Sequence, residues 1–172
     1  PTALINRQST WSGSQPGNLG QVTAEIGKKS YSSVAIESSL DGRELSVTIK
    51  LKMGFSYDRI RLGLFLLEDG LVYNQSNYTS YYADITNGQT AIRFIHDDVL
   101  RHSFGSVFGD VLSGENVGHD KIYSKEFQYT IPPNFKIENL KLVGFAADFE
   151  DRYFINSRPS NIGENQDFQP AD

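Results

Sequence analysis

Histidine is the side chain that most often serves as general base or metal ligand near neutral pH, and the sequence holds three: His96, His102 and His119. His96 and His102 stand six apart around a stretch whose pattern predicts a short helix, Ile95–Arg101, so they fall on different faces and do not chelate one ion together. His119 lies in a Gly/Asn loop. There is no H-x-x-x-H or H-x-H spacing, and the absence of cysteine removes thiolate metal sites, disulfides and cysteine nucleophiles together. His96-Asp97-Asp98 sets a base beside carboxylates, but no nucleophile accompanies it. No G-x-S-x-G turn occurs, and Ser103 has no strand-to-helix elbow around it. Asp97 and Asp98 suit the N-terminus of the predicted helix, where the dipole favours negative charge, with Val99 and Leu100 packing inward.

Acidic pairs occur at Glu68-Asp69, Asp97-Asp98 and Glu150-Asp151. Two of them read as hairpin turns, where Asp and Gly serve the backbone. A glycosidase needs two carboxyls across a cleft, and adjacency in a turn does not supply that. Asp148, Glu150 and Asp151 together offer loop oxygens of the kind calcium takes, without the EF-hand loop pattern. The bland reading, turn residues in solvent, is the stronger one, so the expectation is no catalytic residue, no cofactor and no resident metal.

The most unusual local composition is Tyr73-Asn74-Gln75-Ser76-Asn77-Tyr78-Thr79-Ser80-Tyr81-Tyr82, which gathers four of the nine tyrosines. Tyrosine gives large, stiff, amphipathic contact area at low entropic cost, and Asn and Ser adapt their hydrogen bonds. The segment is therefore the leading ligand-contact candidate, through Tyr73, Asn77, Tyr78, Tyr81 and Tyr82. The competing reading folds these rings back onto the core.

Period-two alternation supplies the elements that must position such a segment. In Glu44–Lys52, Leu45, Val47, Ile49 and Leu51 point one way and the polar residues the other, a strand with one wet face. With Ser33–Ser38 and the turn Asp41-Gly42 it makes a hairpin. Ile60–Leu67 is apolar on both faces, as in a central strand, and Glu68-Asp69-Gly70 turns it into Leu71–Asn74. Ile122–Ile131 and Leu140–Phe149 follow, and Glu150-Asp151 leads into Tyr153–Asn156. A helix is predicted after Asn18, with Leu19, Val22 and Ile26 on one face and Gly27 closing it. Residues 75–120 read as irregular apart from the short helix. The fold class is mainly all-β: an antiparallel, jelly-roll-like β-sandwich with one or two short helices.

The 172 residues suit one domain, and 11 Phe with 9 Tyr fill a core. A net charge of −5 without a basic block argues against nucleic acid, and no apolar run reaches the ~20 residues of a membrane span. The start at Pro1, with neither signal peptide nor initiator Met, suggests a piece of a longer precursor.

Several segments in order resemble a known family. Pro1-Thr2-Ala3-Leu4-Ile5-Asn6-Arg7 looks like the cis-proline strand of a thioredoxin-like fold. Asp41-Gly42-Arg43-Glu44-Leu45-Ser46-Val47-Thr48, Leu67-Glu68-Asp69-Gly70, His96-Asp97-Asp98-Val99-Leu100-Arg101 with Gly105 and Gly109, and Leu142-Val143-Gly144-Phe145-Ala146 follow. Together they are similar to the C-terminal part of the 28-kilodalton outer-membrane protein family of Bacteroides and Porphyromonas relatives. Where relatives tend to carry a second His in the helix motif, this sequence has Asp98. The resemblance implies an exported protein held at the outer membrane by a lipid anchor outside this chain. Residues 1–17 would then be the remnant of an upstream thioredoxin-like region plus linker, and residues 18–172 the sandwich. It implies no assigned activity, with adhesion the usual suggestion. The function expected is a non-catalytic binding or structural module, its partner a glycan, peptide or surface protein. Two alternatives stand beside it: a glycan- or peptide-directed hydrolase using loop carboxylates near 97–98 and 148–151, and a passive spacer for the upstream domain.

Overall fold

Alternation in the Glu44–Met53 segment becomes a strand whose Leu45, Val47, Ile49, Leu51 and Met53 are buried while Glu44, Ser46 and Lys52 face water. The computed structural model describes residues 3–12, 19–76, 86–87 and 90–169. In chain order its elements are β1 (Leu4–Ile5), β2 (Ser9–Thr10), α1 (Gly20–Thr23), β3 (Ser32–Asp41), β4 (Glu44–Met53), β5 (Arg59–Glu68), β6 (Leu71–Ser76), β7 (Thr86–Asn87), β8 (Thr90–His96) and β9 (Val99–Ser103). β10 (Asp110–Ser113), β11 (Ile122–Thr130), β12 (Leu140–Asp148) and β13 (Phe154–Asn161) complete the chain.

Two antiparallel sheets form a sandwich. One has the order β11-β4-β3; β3 and β4 close through Gly42, whose φ of 59° is the left-handed region that glycine adopts without strain. Arg43 beside it donates to the carbonyls of Ile131, Pro132 and Phe135, fixing the loop after β11. The other sheet runs β10-β5-β12-β13, with β9 taking over from β10 along the same edge of β5. Val34, Ile36 and Ile49 from the first sheet meet Ile60, Leu62, Leu64, Leu66, Leu142 and Ala146 from the second. The sheets meet tightly at Gly144, where a Cβ would stand 2.9 Å from Ile49 Cδ1 and 3.0 Å from Val34 Cγ1. β5 is the central strand its two apolar faces predict, because its outer face is covered as well, by Phe145 and the aromatic rings around it.

Several sequence expectations are corrected. Ile95–Arg101 is not a helix. His96 ends β8, Asp98 takes φ 58°, and Val99 begins β9, so the apolar residues alternate on two strands of different sheets. Residues 75–120, read as irregular, contain β7 to β10. Glu68 is not part of a turn but the buried last residue of β5. The segment after Asp69-Gly70 does not pair back on β5; β6 pairs with β8 in a sheet of its own, β6-β8-β7. The predicted first helix shrinks to the single turn α1, with Leu19, Val22 and Ile26 all exposed, since Gly20 and Thr23 disfavour a longer one. Gln21 accepts the Ser12 amide and its amide group donates to Ser12 Oγ. Asn18, the expected cap, lies outside the described residues.

The N-terminal strand has a neighbour that its sequence did not disclose. β1 pairs with β2 across a turn in which Asn6 and Arg7 have φ 51° and 57°. The hairpin is tied to the sandwich by Phe154 N donating to Asn6 O and by Arg7, whose guanidinium lies 4.3 Å from the Phe154 ring centre and 5.3 Å from that of Phe145.

Candidate functional site

Among the described residues, the sheet β6-β8-β7 is a ribbon that pairs with neither sheet of the sandwich. Its register sets Leu71 opposite His96, Val72 opposite Ile95 and Tyr73 opposite Phe94. Strand alternation therefore gathers Tyr73, Phe94 and His96 on one face: Phe94 and His96 rings are 5.0 Å apart and Tyr73 lies 6.4 Å from His96. Val72 and Ile95 share the other face. Tyr73 is 63% exposed, Ile95 59% and Val72 43%. A register shift follows Tyr73, where the Arg93 amide, at φ 58°, donates to Asn74 Oδ1. Of the predicted contact residues the structure places Tyr73 on this ribbon; Asn77, Tyr78, Tyr81 and Tyr82 lie outside the described residues.

The carboxylates that the sequence offers for chemistry build the neck of the ribbon. Gly70 N donates to Asp97 Oδ1 at 2.8 Å, and Asp98 N donates to Asp69 Oδ1 at 2.7 Å, so the two connections joining ribbon and sandwich clasp each other. Lys141 Nζ bridges them, 2.7 Å from Asp69 and 2.6 Å from Asp98. The Asp98 amide and Lys141 hold the Asp69 carboxyl below its ordinary range, and the bonds to Asp69 and Asp98 raise Lys141 in turn. Directly beneath, the fully buried Glu68 accepts Lys136 N on Oε1. Its Oε2 lies 2.7 Å from Arg101 Nη1, an ion pair whose N–H is not aimed along the contact. Arg101 stacks on Phe135 at 3.8 Å.

Asp148, Glu150 and Asp151 do not form a ligand set. Asp148 Oδ1 accepts the amides of Glu150 and Asp151, each at 2.8 Å, and caps its own turn. Among the described residues no group of three or more His or carboxylate side chains is placed to hold a metal ion. Lys141, against Asp98, and Asp148 stand seven residues apart on β12, which at the rise of a strand is about 23 Å. The two carboxylate groups of the hydrolase alternative thus sit at opposite ends of the sandwich.

His102 lies on β9 with its ring stacked on Tyr129 of β11 at 4.1 Å and 19°, and edge-on to Phe104 at 4.8 Å. It closes the sandwich mouth between the two sheets, and burial lowers its pKa. Asp110 and Lys125 bridge the same mouth at 2.7 Å.

At the end opposite the neck is a cleft of about 470 Å³, lined among others by Lys29, Tyr31, Ser32, Lys52, Asp120 and Asn156. Beside it Tyr31 and Phe55 are 56% and 58% exposed, their rings 5.9 Å apart, with Tyr57 6.0 Å from Phe55. Burial, with smaller effects from Tyr153, Asp148 and Tyr31, raises the Tyr57 phenol. Sequence reasoning passed over this cleft. Its one signal in the sequence is Lys28-Lys29, the longest run of cations.

Fold and site together define an all-β sandwich domain carrying a separate ribbon at one end and a cleft at the other. The chain matches the family described as Outer membrane protein Omp28 over residues 1–166, and it belongs to that family. It is also similar to the crystal structure of a domain of the outer membrane lipoprotein Omp28 from Porphyromonas gingivalis. The likeness has 15% identity and a TM-score of 0.51, and covers 80% of this chain and 92% of that one, which shows the fold. A comparison with curated proteins gives no match. Membership carries the outer-membrane localisation expected from the resemblance, and among the described residues no helix is long and apolar enough to cross a membrane.

Proposed function

We propose that this chain is a non-catalytic binding module of a lipid-anchored protein at the outer membrane, engaging a glycan, peptide or surface protein through the ribbon. The observation that carries this reading is the ribbon itself. Strands in a sheet of their own leave Val72, Tyr73 and Ile95 open to solvent, an apolar surface available to a partner. The neck supports the reading, because Asp69, Asp97, Asp98 and Lys141 fix the ribbon's direction and reduce what must be ordered on binding. The separation of the loop carboxylates weighs against the hydrolase alternative that would use them together, and the cleft at the far end speaks against a passive spacer.

The test is binding of the whole chain to arrays of glycans, short peptides and surface proteins, followed by two variants. Tyr73→Ala, and replacement of residues 71–96 by a short Gly-Ser turn, should each weaken the binding found, by about tenfold or more for the replacement, with the sandwich still folded. Undiminished binding by the replacement variant would sink the ribbon as the contact region.

A further inference from the structure

The cleft beside Tyr31 carries chemistry that neither the ribbon nor the sandwich core uses. Lys29 and Lys52 line it and are exposed. Neither has a carboxylate partner among the described residues, whereas the adjacent Lys28 is tied to Glu25 at 2.6 Å. The opposing charge is Asp120, whose carboxylate lies 3.1 Å from His119 Nδ1. On a chain of net charge −5 this is a local concentration of cations, so its field favours an acidic ligand at a place where most of the surface does not.

The walls add recognition of another kind. Ser32 is 5% exposed and lines the cleft, and among the described residues its buried Oγ has no hydrogen-bond partner. An orphaned hydroxyl at that depth is destabilising. The other polar groups nearby are committed to the fold: Asn156 Nδ2 donates to Ser32 O at 2.6 Å, Ser30 Oγ to the same carbonyl at 2.9 Å, and Ser33 Oγ accepts Gln169 N at 3.0 Å. The floor is therefore held in place by its own hydrogen bonds. At the rim, Tyr31 and Phe55 offer exposed aromatic faces, against which the C–H face of a sugar ring packs without loss of its hydroxyl hydration. Free ammonium groups and exposed rings around about 470 Å³ suit one or two saccharide rings bearing a carboxylate. We propose that this cleft is a binding site for an acidic saccharide, its carboxylate held by Lys29 and Lys52 and its ring stacked at Tyr31.

The site lies at the other end of the sandwich from the ribbon and stands independently of it. Calorimetric titration of the whole chain with trigalacturonate, with maltotriose as the neutral counterpart and sodium sulfate as the bare anion, tests it. Trigalacturonate should bind saturably, at least about tenfold more tightly than either control, and more weakly as salt is raised. Lys29→Gln with Lys52→Gln, and separately Tyr31→Ala, should each reduce that affinity by roughly tenfold with the melting temperature unchanged. Tyr73→Ala should leave it intact, so failure here does not touch the ribbon reading. Absence of binding at millimolar trigalacturonate overturns the proposal. So does equal affinity for maltotriose or sulfate, or full binding by the lysine double variant.

Discussion

The Phe145 ring occupies the place where any side chain on residue 63 would stand: a Cβ on Gly63 would lie 2.2 Å from Phe145 Cζ and 2.5 Å from Cε1. The two residues are directly paired across β12 and β5. Phe65 and Phe154, at 4.9 and 5.0 Å, hold the ring from either side. Gly63→Ala should therefore destabilise the domain by about 1–3 kcal/mol in urea unfolding, the range for overpacking a core. Gly144→Ala should cost less, because the atoms it meets are the flexible ends of Ile49, Val34 and Ile36. Equal stability of Gly63→Ala and wild type would show that the ring swings aside freely.

Glu68 and Arg101 form an ion pair under the ribbon's neck, with the Glu68 side chain fully buried and that of Arg101 16% exposed. Removing one partner strands the other charge, so Glu68→Ala should lower stability by about 3 kcal/mol or more. The double variant Glu68→Leu, Arg101→Met should recover most of that loss, since neither charge then remains without a partner. A double variant as unstable as the single one would assign the cost to packing around Phe135 instead.

His102 makes stability depend on pH in a defined direction. Burial lowers its pKa from 6.5, so below that pH the unfolded chain takes up a proton that the folded one still refuses. Stability contributed by the neutral ring is present above about pH 6.5 and declines as pH falls toward the folded value. His102→Phe keeps the stack on Tyr129 and should flatten the melting-temperature profile between about pH 7 and 5. Asp69 and Asp110 act in a separate window: their depressed pKa values give stability present above the ordinary 3.8 and lost only at lower pH. An unchanged slope in His102→Phe would place its origin elsewhere.

Arg7 ties the N-terminal hairpin to the outer face of the larger sheet. Its guanidinium lies near Phe108, Phe145 and Phe154, Nη2 donates to Val107 O, and Nη1 is buried without a partner among the described residues. Burial lowers its pKa, though the group stays charged at any working pH. Arg7→Ala should expose the peptide bonds near residues 6–12 to limited proteolysis well before the sandwich unfolds, with about 1 kcal/mol lost overall. Equal protease resistance in the variant would show that Phe154 N to Asn6 O and the β1–β2 pairing hold the hairpin without it.

What could be read directly was local. Leu45, Val47, Ile49 and Leu51 alternate within one strand, and Asp41-Gly42 turns the chain by backbone chemistry alone, so β3, β4, β11 and β12 were visible without any knowledge of their neighbours. The same local reading placed Ile95 to Arg101 in a helix, because the two-residue break at Asp97-Asp98 interrupts the alternation where two short strands abut. Family and fold class also lay within reach of the sequence, since they rest on ordered short segments.

The sites did not, because each is assembled from residues far apart in the chain. The neck needs Asp69, Asp98 and Lys141, the mouth needs His102 and Tyr129, and the cleft needs Lys29, Lys52 and Asn156. No periodicity encodes such a meeting. It follows from β5 pairing at once with β9, β10 and β12, and from two sheets closing on each other, which are long-range choices made by burial of apolar area rather than by any local signal. The sequence by itself determined strands, turns and kinship; packing of the two sheets decided which charges are paired, which are left open, and where.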